Sequence, residues 1–210
     1  EIVVSAFSYQ GQRCSAGSRV IVDESIYDEF VAKLVSRTRK LQVGDPSDPR
    51  TDIGPVIDQN AFQKILKFIE LGKTEGKLLI GGGPVDGKGY FIQPTIFGDV
   101  DPKATIAQEE IFGPVVACIR AKNFDEALAI ANGTKYGLTG SVFSKNRRKL
   151  EQARHEFHTG NLYFNRRSTA ALMGVHPFGG FNMSGTDSKA GGPDYLLLFL
   201  QGKSIGEKLY

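Results

Sequence analysis

Residue types that indicate several common functions are scarce in this chain of 210 residues. Its two cysteines, Cys14 and Cys118, are too few for a disulfide framework and fit a reducing compartment. Its three histidines and two cysteines are scattered without ligand spacing, so we expect no metal site. A formal net charge of +3 is too small to indicate nucleic acid as a partner. No apolar run is long enough to span a membrane and no signal peptide is present, so we expect a soluble cytoplasmic protein with no membrane contact.

The sequence pattern is that of a globular protein in which strands alternate with helices. Hydrophobic residues make up 40% of the chain, enough for a sizeable core at this length. The apolar segment at 20–22, for example, is followed by a helical stripe for which Ser25 is the predicted N-cap. Continuous apolar strands of this kind are typically buried on both faces. We therefore predict an α/β fold, a three-layer α/β/α sandwich with a mostly parallel sheet, in which ligands collect at the carboxyl ends of strands.

The ends of the chain and two helix boundaries carry further predictions. Gly72 is the predicted end of a second helix, and Asn146 is the predicted N-cap of a later one. The apolar run at 195–200 predicts a short helix, followed by an extended arm at 203–210 that adds to a partner's sheet edge. The chain opens at Glu1 as though within an element, so we expect a segment of a longer chain, with part of the active site outside it.

The octet QGQRCSAG at residues 10–17 is the most informative stretch for chemistry. Cys14 lies among polar neighbours, with a glycine three residues away on each side. Small residues let a substrate carbonyl approach the backbone closely, and the cationic Arg13 favours the nucleophilic thiolate. The local residues leave two interpretations open, a nucleophile or a cysteine that fills a polar turn. Cys118, by contrast, lies in the apolar strand pattern VVACI and is predicted to be an inert core residue.

Two further clusters combine polar, aromatic and glycine residues. The first is QEEIFGP at residues 108–114, where a carboxylate is suited to accept hydrogen bonds from sugar hydroxyls and an aromatic ring is suited to pack on a flat ring. Taken alone, a loop with a carboxylate at a helix end explains it better. The second is HPFGG at residues 176–180, followed by Ser184 and Gly185.

Together, and in this order, the three clusters resemble the catalytic segment of the aldehyde dehydrogenase superfamily, and the resemblance covers the whole chain. A closer similarity, to the 1-pyrroline-5-carboxylate dehydrogenase branch, lies in NLYFNR at 161–166 and SGTDSKAGGP at 184–193. That branch oxidises L-glutamate γ-semialdehyde to glutamate with NAD, the second step of proline breakdown. The resemblance implies that residues 1–210 are the catalytic domain, with 203–210 as the oligomerisation arm of a homo-oligomer. It also implies that the NAD-binding domain and the general-base glutamate lie upstream.

The resemblance further implies a mechanism centred on Cys14. Its thiolate would attack the aldehyde carbon to form a thiohemiacetal and, after hydride transfer to NAD, a thioester that water hydrolyses. Glu110 would bind the hydroxyls of the nicotinamide ribose, and Phe112 would pack near the nicotinamide. The carboxylate of the substrate would be held by the Ser15 hydroxyl and by the backbone N–H groups of Ala170 and Ala171. The Phe178 ring would flank the methylenes of the substrate.

Two positions near the predicted carboxylate site depart from the family pattern. Ala170 stands where the family usually has glycine, and its methyl group restricts φ. Arg167 stands where the family usually has a small residue. A different aldehyde substrate therefore stays open. With its general base and cofactor domain elsewhere, the 210-residue chain alone is expected to be inactive.

Two hypotheses from other functional classes remain. A cysteine hydrolase needs a histidine within hydrogen-bond reach of Cys14, and the candidates are His155, His158 and His176. A non-enzymatic assembly domain needs only an interface, which the C-terminal tail is suited to supply.

Overall fold

The computed structural model describes residues 1–85, 87, 89–185 and 190–210. Within those ranges the α-helices are α1 (Ile2–Phe7), α2 (Tyr27–Thr38), α3 (Gln59–Glu75), α4 (Thr105–Gln108), α5 (Phe124–Asn132) and α6 (Arg147–Glu156). The strands are β1 (Arg19–Asp23), β2 (Lys77–Ile80), β3 (Thr95–Gly98), β4 (Val115–Ala121), β5 (Tyr136–Gly137), β6 (Thr139–Val142), β7 (Asn161–Phe164) and β8 (Phe181–Asn182). Short 3₁₀ helices span Ser8–Gly11 and Tyr195–Phe199.

The main sheet has four strands in the order β1-β4-β3-β2. Strands β1 and β3 both run parallel to the central β4, and β2 lies antiparallel along β3. Two small pairs lie outside it, with β6 parallel to β7 and β5 antiparallel to β8. The prediction of a mostly parallel sheet is therefore confirmed.

Strand β4 contacts a separate apolar core on each of its two faces. Val116 and Cys118 belong to the core that includes residues of α1 and α2. Their alternate neighbours Val115, Ala117 and Ile119 belong to the core that includes residues of α3 and α4. Because successive side chains of a strand point to opposite faces, this alternation places helices on both sides of the sheet. The three-layer α/β/α sandwich is confirmed.

Local hydrogen bonds confirm one predicted helix N-cap and contradict another. Asn146 caps α6 as predicted, since its Oδ1 accepts hydrogen bonds from two backbone N–H groups of the first turn. The prediction for Ser25 is wrong, because its N–H and hydroxyl both donate to the Asp23 carboxylate, at 3.1 and 2.6 Å. Helix α2 begins at Tyr27 without a side-chain cap. The Ser25 side chain is thus held by a local hydrogen bond to the residue two positions before it.

Gly72 lies within α3 and does not end it, contrary to the prediction. The helix continues to Glu75, and Gly76 is its C-cap. A Cβ added at Gly72 would lie 2.7 Å from the Phe97 ring of β3. The glycine therefore permits close packing of the helix on the sheet, a tertiary reason that no local pattern reveals.

The C-terminal tail has little regular structure. After the 3₁₀ helix Tyr195–Phe199, residues 200–210 contain no helix or strand and are exposed. Leu197 and Leu200 of this tail are 64% and 70% exposed, so it presents apolar side chains to solvent. The role of 203–210 as an oligomerisation arm stays a prediction. In the ranges that the structure describes, no helix is long and apolar enough to cross a membrane.

Candidate active site

Cys14 lies exposed at the surface in a tight turn formed by residues 13–16, called here the nucleophile turn. The turn is closed by a hydrogen bond from the Ala16 N–H to the Arg13 carbonyl, at 3.0 Å. The Gly17 N–H then donates to the carbonyl of Ser5, a buried residue of α1, at 3.2 Å. The turn is therefore held on α1 while its thiol stays open to solvent.

The backbone that leads into the nucleophile turn is strained. Tyr9, Gln10 and Gly11 all have left-handed φ angles, of 53°, 58° and 68°. This conformation costs a residue other than glycine about 1–2 kcal/mol. Such strain concentrates at functional sites, where the surrounding structure holds it in place.

The Arg13 side chain is directed onto the residues that precede the turn. Its guanidinium donates to Ser8 Oγ at 2.8 Å and lies over the Tyr9 ring, 4.9 Å from the ring centroid. These contacts brace the strained segment. Arg13 thus has a structural role in addition to the electrostatic one that the sequence suggests.

The segment that leads into the nucleophile turn meets the 110–114 segment through a backbone contact at Gly11. A Cβ added at Gly11 would lie 2.2 Å from the carbonyl oxygen of Gly113 and 3.0 Å from that of Ala6. Only glycine fits there, because φ is positive and the neighbouring atoms are backbone. The structure therefore brings together two clusters that lie far apart in sequence.

The two segments meet at a different edge of the sheet from the carboxyl ends of strands, where ligands were expected to collect. The nucleophile turn precedes β1 and the 110–114 segment precedes β4, so both lie at amino ends of strands rather than at carboxyl ends. Because β1 and β4 are parallel neighbours, their amino ends share one edge of the sheet. The parallel pairing is thus the physical reason that the two segments converge.

An open cleft of about 620 Å³ lies beside this meeting point, lined by residues that include Gln12, Lys64, Glu110 and Phe112. The Lys64 ammonium donates to the Glu110 carbonyl at 2.9 Å, which leaves the exposed Glu110 carboxylate to face solvent. Phe112 has a left-handed φ of 59° and is 38% exposed. The cleft thus offers a carboxylate acceptor and an aromatic ring, which suit a ligand with sugar hydroxyls and a flat ring.

The loop at residues 165–171, called here the anchor loop, follows the carboxyl end of β7 and contacts the nucleophile turn. Ser168 Oγ donates to the Ser15 carbonyl at 3.1 Å and lies 2.9 Å from Ser5 Oγ. Arg166 donates to the Ala170 carbonyl at 3.1 Å within the loop. Ser15 is therefore bonded to the anchor loop through Ser168, which the prediction did not include, and Ala170 is held within the loop by Arg166.

Ala171 completes the anchor loop, and Phe178 lies in a different segment, at residues 177–180. The next N–H after Ala171, that of Leu172, donates to His176 Nδ1 at 3.1 Å. The Phe178 N–H donates to the Ala190 carbonyl at 2.7 Å. The segment 177–180 is tied to the amino end of β7, where the Asn161 amide donates to the Pro177 carbonyl at 2.8 Å. The anchor loop and Phe178 are thus attached to opposite ends of β7.

Sequence reasoning missed Ser168 and Ser5. They lie 163 positions apart, and serines are common both in loops and on helices, so neither stands out in the sequence. The only available signal was the position of Ser168 two residues before Ala170. The segment 184–193, which supported the closer resemblance, is described only in part, because residues 186–189 lie outside the described ranges.

The histidines make contacts of their own. His176 accepts the hydrogen bond from Leu172, His158 stacks on the Phe181 ring at 6.3 Å, and His155 lies in the last turn of α6. None of these interactions involves Cys14, so nothing in the geometry favours a cysteine hydrolase. In the part of the chain that the structure describes, no group of three or more His, Cys, Asp or Glu side chains is placed to hold a metal ion.

The two thiols are expected to differ sharply in reactivity toward iodoacetamide. Cys118 has no exposed surface, and burial raises its pKa to about 12, which keeps the thiol protonated. Cys14 is exposed. The folded chain is labelled at a pH of about 8.5, near the pKa of a free thiol. Mass spectrometry should then find one alkyl group, on Cys14, and a second only after denaturation. Labelling of Cys118 in the folded chain would contradict the structure.

Known proteins similar to this chain are aldehyde dehydrogenases. A sequence model described as "Aldehyde dehydrogenase family" matches residues 1–205. Over 206 residues the chain is 62% identical to 1-pyrroline-5-carboxylate dehydrogenase of Geobacillus kaustophilus (strain HTA426) and 61% identical to that of Bacillus subtilis (strain 168), covering 98% of this chain and 40% of each relative. A solved structure of 1-pyrroline-5-carboxylate dehydrogenase from Thermus with bound NAD is similar with a TM-score of 0.96 and 53% identity, covering 99% of this chain and 40% of that one. The chain thus spans about 40% of the length of these relatives.

Proposed function

Because the chain belongs to the aldehyde dehydrogenase family, we propose that it is the cysteine-bearing part of an NAD-dependent enzyme that oxidises L-glutamate γ-semialdehyde to L-glutamate. The observation that carries this proposal is the convergence of two segments on the stretch that holds the exposed Cys14, the 110–114 segment at Gly11 and the anchor loop at Ser15. The names of relatives with 62% and 61% identity support the choice of substrate.

In this proposal Cys14 is the nucleophile. Its sulfur forms a bond to the aldehyde carbon, the carbonyl electron pair moves to oxygen, and a thiohemiacetal results. The backbone N–H of Cys14 would help to hold the oxygen that becomes negative. After oxidation the product is a thioester on the same sulfur, and addition of water releases glutamate with the thiolate as leaving group.

The cleft lined by Gln12, Glu110 and Phe112 is the proposed cofactor site. Glu110 would accept hydrogen bonds from ribose hydroxyls, and the exposed ring of Phe112 would pack near the nicotinamide. The exposed carboxylate and ring fit those parts of NAD, which when bound supplies the hydride acceptor. The left-handed backbone at Phe112 supports this assignment, because it places an aromatic ring in the open between the buried Ile111 and Gly113.

The substrate carboxylate is proposed to lie between the nucleophile turn and the anchor loop. Ser15 would donate its hydroxyl, and the N–H groups of Ala170 and Ala171 would add two further hydrogen bonds to the charged group. The bond from Arg166 to the Ala170 carbonyl supports this role, because it fixes the orientation of that part of the loop. Phe178 would flank the methylenes of the substrate.

The rest of the enzyme is proposed from the length of the relatives. The family's general-base glutamate and cofactor domain match no motif in these 210 residues, so we expect residues 1–210 alone to show no turnover. The apolar tail that contains residues 203–210 is proposed to join a partner subunit, since its leucines are exposed in the isolated chain.

A full-length chimera tests the proposal. In it, this chain replaces the matching segment of the Geobacillus kaustophilus relative. The chimera should reduce NAD when given L-glutamate γ-semialdehyde, and the 210-residue chain alone should not, with NADH absorbance as the readout. A folded chimera that oxidises other aldehydes but not this one would overturn the substrate assignment. NAD reduction by the isolated chain would contradict the need for the remaining part.

A further inference from the structure

Ser168 connects two parts of the site that the chain keeps far apart. It lies 153 positions from Ser15, yet its hydroxyl oxygen is 3.1 Å from the Ser15 carbonyl and 2.9 Å from Ser5 Oγ. We call this set, Ser5, Ser168 and the Ser15 carbonyl, the hydroxyl bridge. It is the hydrogen-bonded link between the anchor loop and the nucleophile turn.

The direction of the hydrogen bonds in the bridge follows from donor and acceptor chemistry. A carbonyl oxygen only accepts, so Ser168 gives its one proton to Ser15. With that bond formed, Ser5 donates to Ser168. Ser5 is buried on α1, and its carbonyl already holds Gly17. The bridge thus has one fixed end, on the helix that also supports the nucleophile turn.

The anchor loop has two further hydrogen bonds, one from β6 and one within the loop. The Ser141 hydroxyl donates to the Arg166 carbonyl, and Arg166 in turn donates to the Ala170 carbonyl. These two bonds restrain the part of the loop that carries the predicted carboxylate-binding N–H groups. Since the bridge attaches this part of the loop to Ser15, its length helps to set the separation between those N–H groups and the thiol of Cys14.

We propose that Ser168 is a positioning residue which, by holding the anchor loop at one distance from the nucleophile turn, selects aldehydes whose carboxylate lies at a matching distance from the carbonyl. The inference rests on the proposed function, because it takes Cys14 as the nucleophile and the anchor loop as the carboxylate site. It adds a determinant of substrate length. A small misplacement of bound groups lowers rates strongly, so one hydroxyl is sufficient for a measurable effect.

The test compares two aldehydes in the full-length chimera. Ser168→Ala should lower kcat/KM for L-glutamate γ-semialdehyde about tenfold, mostly through KM, because a uniform binding interaction is lost. Propanal, which has no carboxylate, should change by less than about twofold. Ser168→Thr keeps a hydroxyl and should restore most of the loss. An equal loss for both aldehydes, or no loss for either, would overturn the proposal.

Amide hydrogen exchange gives a readout that does not depend on activity. The Ala16 and Gly17 N–H groups close and anchor the nucleophile turn, and they should exchange faster in Ser168→Ala than in Ser168→Thr. Ser5→Ala should also speed this exchange. The double variant should lower the free energy of opening by less than the sum of the two single changes. Unchanged exchange would contradict the hydroxyl bridge. A different result would reject the proposed function instead. In it, Ser168→Ala speeds the exchange, but the chimera without the substitution does not oxidise the semialdehyde, and the claim of length selection is then rejected as well.

Discussion

Replacing Cys14 with alanine in the full-length chimera is expected to lower kcat/KM by roughly 10⁴-fold or more. The reason is that no other group in the site then forms the covalent bond to the aldehyde carbon. Because Cys14 is exposed, the same change should alter the free energy of unfolding by less than about 0.5 kcal/mol. NADH formation measures the first effect and urea unfolding the second.

Cys118→Ala is the matched control, and the opposite pattern is expected for it. Cys118 has no exposed surface in β4, so losing its sulfur should cost about 1 kcal/mol of stability. Its kcat/KM should stay within about twofold, since it contacts the core rather than the cleft. Wild-type turnover by Cys14→Ala, or loss of turnover by a folded Cys118→Ala enzyme, would show that the nucleophile has been assigned to the wrong thiol.

Gly11→Ala is expected to have the next largest effect, on stability and activity together. The added Cβ would lie 2.2 Å from the Gly113 carbonyl oxygen, and alanine would have to adopt a φ of +68°. Left-handed backbone and overpacking together should cost about 2–5 kcal/mol. Relief of the clash moves the 110–114 segment away from the nucleophile turn, so kcat/KM should also fall by about 100-fold.

Gly83→Ala is the control for this substitution. Nothing lies within 4 Å of a Cβ added there, and its φ does not lie in the left-handed region. Its stability and kcat/KM should therefore match those of the unmodified chimera in thermal unfolding and NADH assays. If Gly11→Ala proved as stable and as active as Gly83→Ala, the backbone contact between the two segments would not be a feature of the enzyme.

The layered fold was predictable because its cause is local. Strand β4 has apolar residues at nearly every position, and such a strand needs cover on both faces wherever it is placed. Asn146 was predictable as a cap for a similar reason, since the N–H groups that donate to its side-chain oxygen lie within the next turn of the chain. Ser25 and Gly72 were predicted wrongly, because a nearby Asp23 carboxylate and a distant Phe97 ring decide what they do.

The chemical groups of the candidate site were predictable as well, although their arrangement was not. Cys14, Glu110 and Phe112 stand out in the sequence by residue type and by family motif. The sheet rule points to the carboxyl ends of strands, whereas the Cys14 and 110–114 segments meet at amino ends because β1 lies parallel beside β4. Ser168 was not predictable, because its role exists only through two contacts with residues distant in sequence.

The sequence by itself determined which groups this protein can use, a thiol among polar neighbours, a carboxylate and an aromatic ring, together with the alternation of strands and helices that carries them. Only the tertiary structure decided that Gly11 touches Gly113 and that Ser168 holds Ser15. The physical reason is that residue chemistry and periodicity are local properties of the chain. The distance between two loops is set instead by strand pairing and packing across the whole domain.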